Sequence, residues 1–417
     1  MKSFGVLLFV FLIHLSSTAQ WIQSPTLPNV NRYDDIVFVD DNEGWTVNSE
    51  GQIFHTTDQG NTWTEQINTG KYLRSIEFVD ANVGYCGSLE SSFYKTTDGG
   101  QTWTDIAGAI SPSIQGICGI SAPDANTVYG CGIWSSPAYI VKSVDGGNTW
   151  SYIDMSTYAT ALVDVEFISP TEGFVVGTAN PASDGGIILH TTDGGVTWTT
   201  KFQTNVSLDY VWKIQSPDGQ NFFASIDAVP VTNDMRLLKS TDGGNTWTMT
   251  TVLTNYVYTQ MVGFINPMHG WIGAGSILYE TLDGGITWNL SFAVSSANRF
   301  FKLNETTAFM SGSTVAKYTD ASAGLNESIP YNEVHSLEVS PNPTNDEVHI
   351  DLQINSTTTA QLLLINSEGK IVNTFLDVND DPNHYSFDYS LGNYAAQNFY
   401  LILKTNEGIL HRTIVRK

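Results

Sequence analysis

The chain has 417 residues, and its 42 acidic against 18 basic residues leave a formal charge of −24. That length accommodates one large domain and a small one, and so acidic a surface repels phosphate backbones and anionic membranes, which excludes nucleic acid as an expected partner. The three cysteines, Cys86, Cys118 and Cys131, exclude a fully paired disulfide framework.

The first segment, residues 1–19, has Lys2, an apolar run from Val6 to Leu15, and the small residues Ser17-Thr18-Ala19. This is the layout of a secretory signal peptide, with cleavage expected near Ala19 or Gln20. The run is too short for a stable transmembrane helix and no other stretch approaches 18 apolar residues, so no membrane span is expected.

From residue 20 to 320 one pattern repeats. Ser/Thr-x-Asp-x-Gly-x-Thr-Trp occurs six times, with its aspartates at Asp58, Asp98, Asp145, Asp193, Asp242 and Asp283. The Asp accepts backbone hydrogen bonds at a turn, the Gly supplies positive φ, and Thr-Trp opens a strand whose Trp ring is expected to lie flat on a neighbouring sheet. Around the second copy, Ser75–Asp80, Val83–Gly87, Ser92–Lys95 and Thr102–Thr104 read as four short strands. Four strands per 40–49 residues is the period of a propeller blade. After the sixth copy, Arg299–Leu303, Thr307–Met310 and Val315–Tyr318 supply only three strands, and no Trp follows Asp320. Trp21-Ile22-Gln23 supplies the fourth from the other end of the mature chain, closing the ring without an open edge. An all-β seven-bladed β-propeller is predicted, with six blades as the alternative. Cys118 and Cys131 fall on adjacent strands, which leaves open either one disulfide or three buried thiols. No Cys/His spacing suits a metal, and neither metal nor cofactor is expected.

The repeats resemble the Asp-box (BNR) repeats of sialidase-like and sortilin-like propellers. The Gly44-Trp45 pair together with Thr-Thr-Asp-Gly-Gly-x-Thr-Trp looks most similar to photosystem II assembly-factor-like propellers. In those families the boxes are structural and lie on the face opposite the active site of sialidases.

Residues 321–332 form a small-polar linker with Gly324 and Pro330. Residues 333–417 then alternate as strands with turns at Glu368-Gly369 and Asn406-Glu407-Gly408, predicting a small antiparallel β-sandwich. Ser340-Pro341-Asn342-Pro343, Gly369-Lys370 and the basic end Arg412–Lys417 resemble the type A sorting domain of the type IX secretion system of Bacteroidetes. That resemblance implies type IX machinery as a partner through residues 333–417, passage through the periplasm, and a secreted or cell-surface product. A generic adhesive sandwich is the alternative.

The functional face should be the one away from the boxes. The box intervals of 47, 48 and 49 residues exceed the shortest interval, 40, by seven or more, and the extra residues fall in blades three to five. They bring Trp134 and Tyr139, suited to stacking, and Asn180, Asp184, Asp227 and Asp234, suited to polar groups. One-sided insertions of this kind often build a binding surface. Arg32, Arg74 and Arg299 fall at or near first-strand starts, so all three can point into the central channel as an anion- or peptide-binding patch. The expectation is a non-catalytic, monomeric binding propeller for an extracellular protein or glycan. The alternative is a sialidase-like glycoside hydrolase, which needs three arginines converging on a carboxylate beside a Tyr. A carboxylate pair at Asp35 and Asp164 looks unpromising, since their blades lie far apart in the ring.

Overall fold

The structure is a computed structural model. It describes residues 20–28, 30–228, 234–254, 259–274, 277–291, 293–320, 335–354, 358–366, 371–380, 383–395, 397–405 and 408–417. The expected signal peptide, the linker 321–332, the Glu368-Gly369-Lys370 turn and residues 406–407 lie outside them. Among the described residues the regular structure is strand, apart from single 3-10 turns at Ala107–Ala109 and Ala182–Asp184.

Between residues 20 and 319 there are seven four-stranded antiparallel sheets. The first contains Tyr33–Phe38, Gly44–Asn48, Gln52–Thr56 and Thr64–Asn68 in that order, and the next five repeat this plan. The seventh combines Arg299–Lys302, Thr307–Ser311 and Val315–Thr319 with Gln20–Gln23. There Gln20 pairs with Thr319 and Trp21 with Tyr318. The first strands of successive sheets touch one another in turn, and Arg299–Lys302 returns to Tyr33–Phe38, so the circuit closes.

Each Asp box is a closed set of local hydrogen bonds. In the first, Asp58 Oδ1 accepts from the Thr62 N–H at 2.8 Å and the Thr56 hydroxyl at 2.9 Å, while Oδ2 accepts from the Thr62 hydroxyl at 2.6 Å. The Thr56 hydroxyl in turn accepts from the Gly60 N–H at 3.0 Å. The same net recurs at Asp98, Asp145, Asp193, Asp242 and Asp283. These bonds favour the ionised carboxylate, and the pKa of Asp145 and Asp193 falls to about 2.

The box Trp does not lie flat on a neighbour. It meets a Phe edge-on: Trp63 against Phe38 at 78°, Trp103 against Phe78 at 86°, Trp198 against Phe167 at 89° and Trp288 against Phe264 at 84°. The flat stack on that Phe comes from another sheet, as in Trp45 on Phe78 at 3.6 Å and Tyr129 on Phe167 at 3.5 Å. Edge-to-face and stacked contacts thus share one ring, which suits its quadrupole better than two flat faces. A glycine opens the second strand beneath each Phe. At Gly44, Gly84, Gly173 and Gly270 an added Cβ would come within 2.4–2.6 Å of the ring, which explains the Gly-aromatic pairs of those repeats.

Cys86, Cys118 and Cys131 are free thiols and buried. Cys118 donates its backbone N–H to Cys131 O at 2.9 Å, so the two strands are joined there by backbone rather than by a disulfide.

Residues 335–416 form a second, smaller unit. His335–Ser340, Glu347–Ile354 and Asn383–Ser390 make a three-stranded sheet. Thr358–Asn366, Ile371–Asp380, Gln397–Thr405 and Gly408–Arg416 make a four-stranded one. Leu337, Ile350 and Leu352 from one and Leu362, Phe399 and Leu401 from the other share a core. On the opposite side of the larger sheet, Leu363, Tyr400 and Ile402 cover Met268 of the sixth propeller sheet.

Candidate functional site

The site follows from the first strand of each sheet, which lines the central channel. These strands run towards the box face. The loops that follow them accept hydrogen bonds from the box turns, Gly99 N–H to Asn82 O at 2.9 Å and Gly194 N–H to Thr171 O at 2.8 Å among them. Residues at one register therefore sit at one depth. Asp35, Ser75, Asp164, Lys213 and Arg299 share such a register.

That depth is occupied by an ion-pair plate. Arg299 reaches Asp35 at 3.3 Å and Asp164 at 3.0 Å, and Lys213 lies 3.4 Å from Asp164. Asp35 also accepts from the Ile76 N–H at 3.1 Å, and Asp164 from the Ile214 N–H at 3.2 Å, each in the next sheet. Distance between blades does not keep Asp35 and Asp164 apart: the long Arg299 side chain joins both across the channel. Burial raises the Asp35 pKa against the pull of Arg299 and Lys213.

On the face away from the boxes, Arg32 and Arg74 both bind Asp34 Oδ1 at 2.9 Å. Asp34 and Arg74 are buried, whereas the Arg32 side chain keeps 23% of its surface exposed. The Tyr72 phenol lies beside Asp34, and burial followed by that charge raises its pKa to about 12. The three arginines do not form one triad. Two share Asp34 and the third belongs to the plate, so each is already matched by carboxylate. Arg74 lies 5.9 Å over the Trp212 ring, Trp212 meets Tyr210 edge-on at 6.0 Å, and the Tyr210 hydroxyl donates to Trp134 O at 3.1 Å. A continuous wall thus runs from the first sheet to the exposed Trp134 of the third.

The other expected site residues take different places. Tyr139 is buried, and its hydroxyl accepts from the Gln115 and Gly116 N–H groups at 3.0 Å, so its ring fixes a loop rather than facing solvent. Asn180 donates to Ser156 O at 2.7 Å, and Asp184 O accepts from the Asn205 N–H at 3.1 Å, both within loops of the fourth sheet. Asp227 is buried close enough to Arg32 to feel its charge, and burial raises its pKa to about 7. Asp234 accepts through its backbone O from Arg236 Nε at 3.3 Å, and Arg236 pairs with Asp209 at 2.7 Å. Residues 229–233 of the fifth-sheet insertion lie outside the described residues. Sequence reading did not find Asp34, Tyr72 or Trp212, nor Glu77 and Glu166 at the box end of the channel. The signal for the last two was present: Ile76-Glu77-Phe78 and Val165-Glu166-Phe167 each set an acid between two apolar neighbours on a strand.

Residues 13–107 and 146–257 match the model of the family described as photosynthesis system II assembly factor YCF48. A stretch of 56 residues, 13% of this chain, is 41% identical to the photosystem II assembly lipoprotein Ycf48 of Prochlorococcus marinus (strain NATL2A) and spans 14% of that protein's length. Among solved structures, YCF48 from Cyanidioschyzon merolae matches at TM-score 0.56 and 19% identity, covering 72% of this chain and 99% of that one. A structure of YCF48 bound to D1 peptide matches at 0.54 and 18%, covering 72% and 96%. PorZ, a surface component of the type-IX secretion system of Porphyromonas gingivalis, matches at 0.52 and 10%, covering 94% of this chain and 60% of its own. At such identities the structural likenesses establish the fold alone. The chain therefore carries a β-propeller similar in sequence and fold to the photosynthesis system II assembly factor YCF48.

Proposed function

We propose that this chain is an exported, non-catalytic binding propeller. Its ligand is a protein segment bearing an acidic group, received between the part-exposed Arg32 and the exposed Trp134. The observation that carries this reading is Arg32, which shares Asp34 with the buried Arg74 yet keeps 23% of its side chain exposed, at one end of the wall formed by Trp212, Tyr210 and Trp134. A YCF48 propeller of like fold has been solved with a peptide bound, which supports a peptide over a glycan. Sialidase chemistry is disfavoured, since no set of three arginines is left free for a substrate carboxylate. The test is a panel of acidic peptides titrated against the full chain. Arg32→Ala and Trp134→Ala are each expected to weaken the best binder by about tenfold or more, since exposed aromatic and Arg anchors dominate such interfaces, with the melting temperature unchanged in Trp134→Ala. Unaltered affinity in both variants would refute the site.

The reading extends to the small C-terminal unit as a type IX export address, which delivers the propeller to the cell surface or medium through the periplasm. Support comes from the sequence features of residues 333–417 and from the likeness in fold to PorZ. A chain ending at residue 332 should accumulate in the periplasm; its normal appearance at the surface would overturn the assignment.

A further inference from the structure

Beyond the ion-pair plate the channel ends, on the box side, in a cavity of 230 Å³ lined by Glu77, Glu166, Arg299, Phe167, Phe300 and Phe301 among others. Glu77 and Glu166 share one register on the second and fourth sheets, two residues past the plate. The carboxyls of Asp35, Asp164, Glu77 and Glu166 outnumber the cations Arg299 and Lys213 by two. Lys302 also lines the cavity, but its ammonium is held by Pro217 O at 3.1 Å and Glu305 at 2.5 Å. Among the described residues no three His, Cys, Asp or Glu side chains gather as a metal-ligand set, so a bare divalent ion does not suit the site. An organic cation does: its charge is spread over several atoms, it takes carboxylates as acceptors, and it is attracted to aromatic faces.

The geometry points to a second binding site here, in which Glu77 and Glu166, backed by the three phenylalanines, hold a small ammonium or guanidinium group. This site is separate from the acidic-peptide site at the opposite end, because the plate of Asp35, Arg299, Asp164 and Lys213 lies between them. Without a ligand the surplus charge is relieved by protons. Burial raises the Glu77 pKa to about 8 and that of Glu166 to about 7, with Asp35 and Asp164 adding to the rise and Arg299 opposing it. Cation binding then expels those protons.

Ethylguanidinium, whose charge is constant over the range, is titrated calorimetrically into the full chain in buffers of different ionisation enthalpy. Affinity is expected to rise by about a hundredfold or more from about pH 6 to about pH 8.5, with net proton release. The double variant Glu77→Gln/Glu166→Gln should lose that pH dependence and bind about tenfold or more weakly at the higher pH, while the acidic-peptide affinity is retained. No binding, pH-independent binding, or equal affinity in the double variant overturns the proposal. The wild-type profile decides the matter even if the variant does not fold. Parallel titration with N-acetylarginine amide separates the sources: tighter binding of the amide assigns the site to an arginine side chain of a protein, and tighter binding of ethylguanidinium to a free small amine.

Discussion

Arg299 is worth following as a single residue, because three sheets depend on it. Its guanidinium serves Asp35 on the first sheet and Asp164 on the fourth from a strand of the seventh. Both carboxylates are almost fully buried, so Arg299→Ala leaves Asp35 without a cation and Asp164 with Lys213 alone. Removing one partner of a buried pair typically costs about 3–5 kcal/mol, and that loss is expected here by chemical denaturation. Arg299→Lys should recover only part of it, since a single ammonium cannot serve two carboxylates with the geometry of a fork. A stability unchanged in Arg299→Ala would mean that water enters the channel and solvates Asp35 and Asp164.

At the scale of elements, the Asp box made most of the propeller legible. Its Ser/Thr, Asp, Gly and Thr form one local net, and local nets survive in the sequence as fixed spacing. Trp63 and its counterparts were legible as packing residues but not in orientation. Whether a ring lies flat or edge-on depends on Phe38 and Trp45, which come from other strands and other sheets. The inter-sheet lysines went unread for the same reason: Lys95 Nζ donates to Gly146 O and Lys142 Nζ to Gly194 O, each at 2.7 Å in the following sheet. The arginine cluster was half legible. Arg32 and Arg74 were found by register, but their sharing of Asp34 depends on a bulge that turns Asp34 out of the regular pairing. The strand Gln20–Gln23 was found by counting three strands where four were needed, and Trp21 then meets Trp271 edge-on at 5.2 Å and Tyr318 at 5.4 Å. Trp21→Ala should lower stability by about 2–3 kcal/mol, the scale of one large apolar side chain. Hydrogen exchange should locate the loosening in the seventh sheet; an even loss of protection across all sheets would contradict that role.

For the whole molecule, opposing acids set the pH of greatest stability. Glu77, Glu166 and Asp227 have raised pKa values in the fold, at about 8, 7 and 7. The folded state therefore binds more protons than the unfolded one above about pH 4.5, and stability falls as the pH climbs towards 8. The box aspartates are shifted the other way, to about 2 at Asp145 and Asp193. Their contribution is present above the ordinary carboxylate pKa and is lost as the pH drops through about 4 to 2. The melting temperature should peak near pH 4.5–5. A maximum above pH 7 would show that the channel acids are not buried as described. Replacing Glu77 and Glu166 by Gln should flatten the alkaline limb and leave the acid limb in place.

The pairing of Gln20 with Thr319 bears on how the protein comes to be. The two partners stand at opposite ends of the propeller sequence, so this contact is about as non-local as the domain permits. Contacts of that kind form late and slowly, although the chain entropy of closing so long a loop grows only logarithmically with its length. A chain emerging from its N-terminus can complete six sheets in order, but its seventh must wait until residue 319 is free. Until then the ring is open, with unpaired strand edges at both ends, and any carrier that holds back the final segment also holds back closure. Vectorial synthesis thus meets a built-in pause, released when the last propeller strand finds the first.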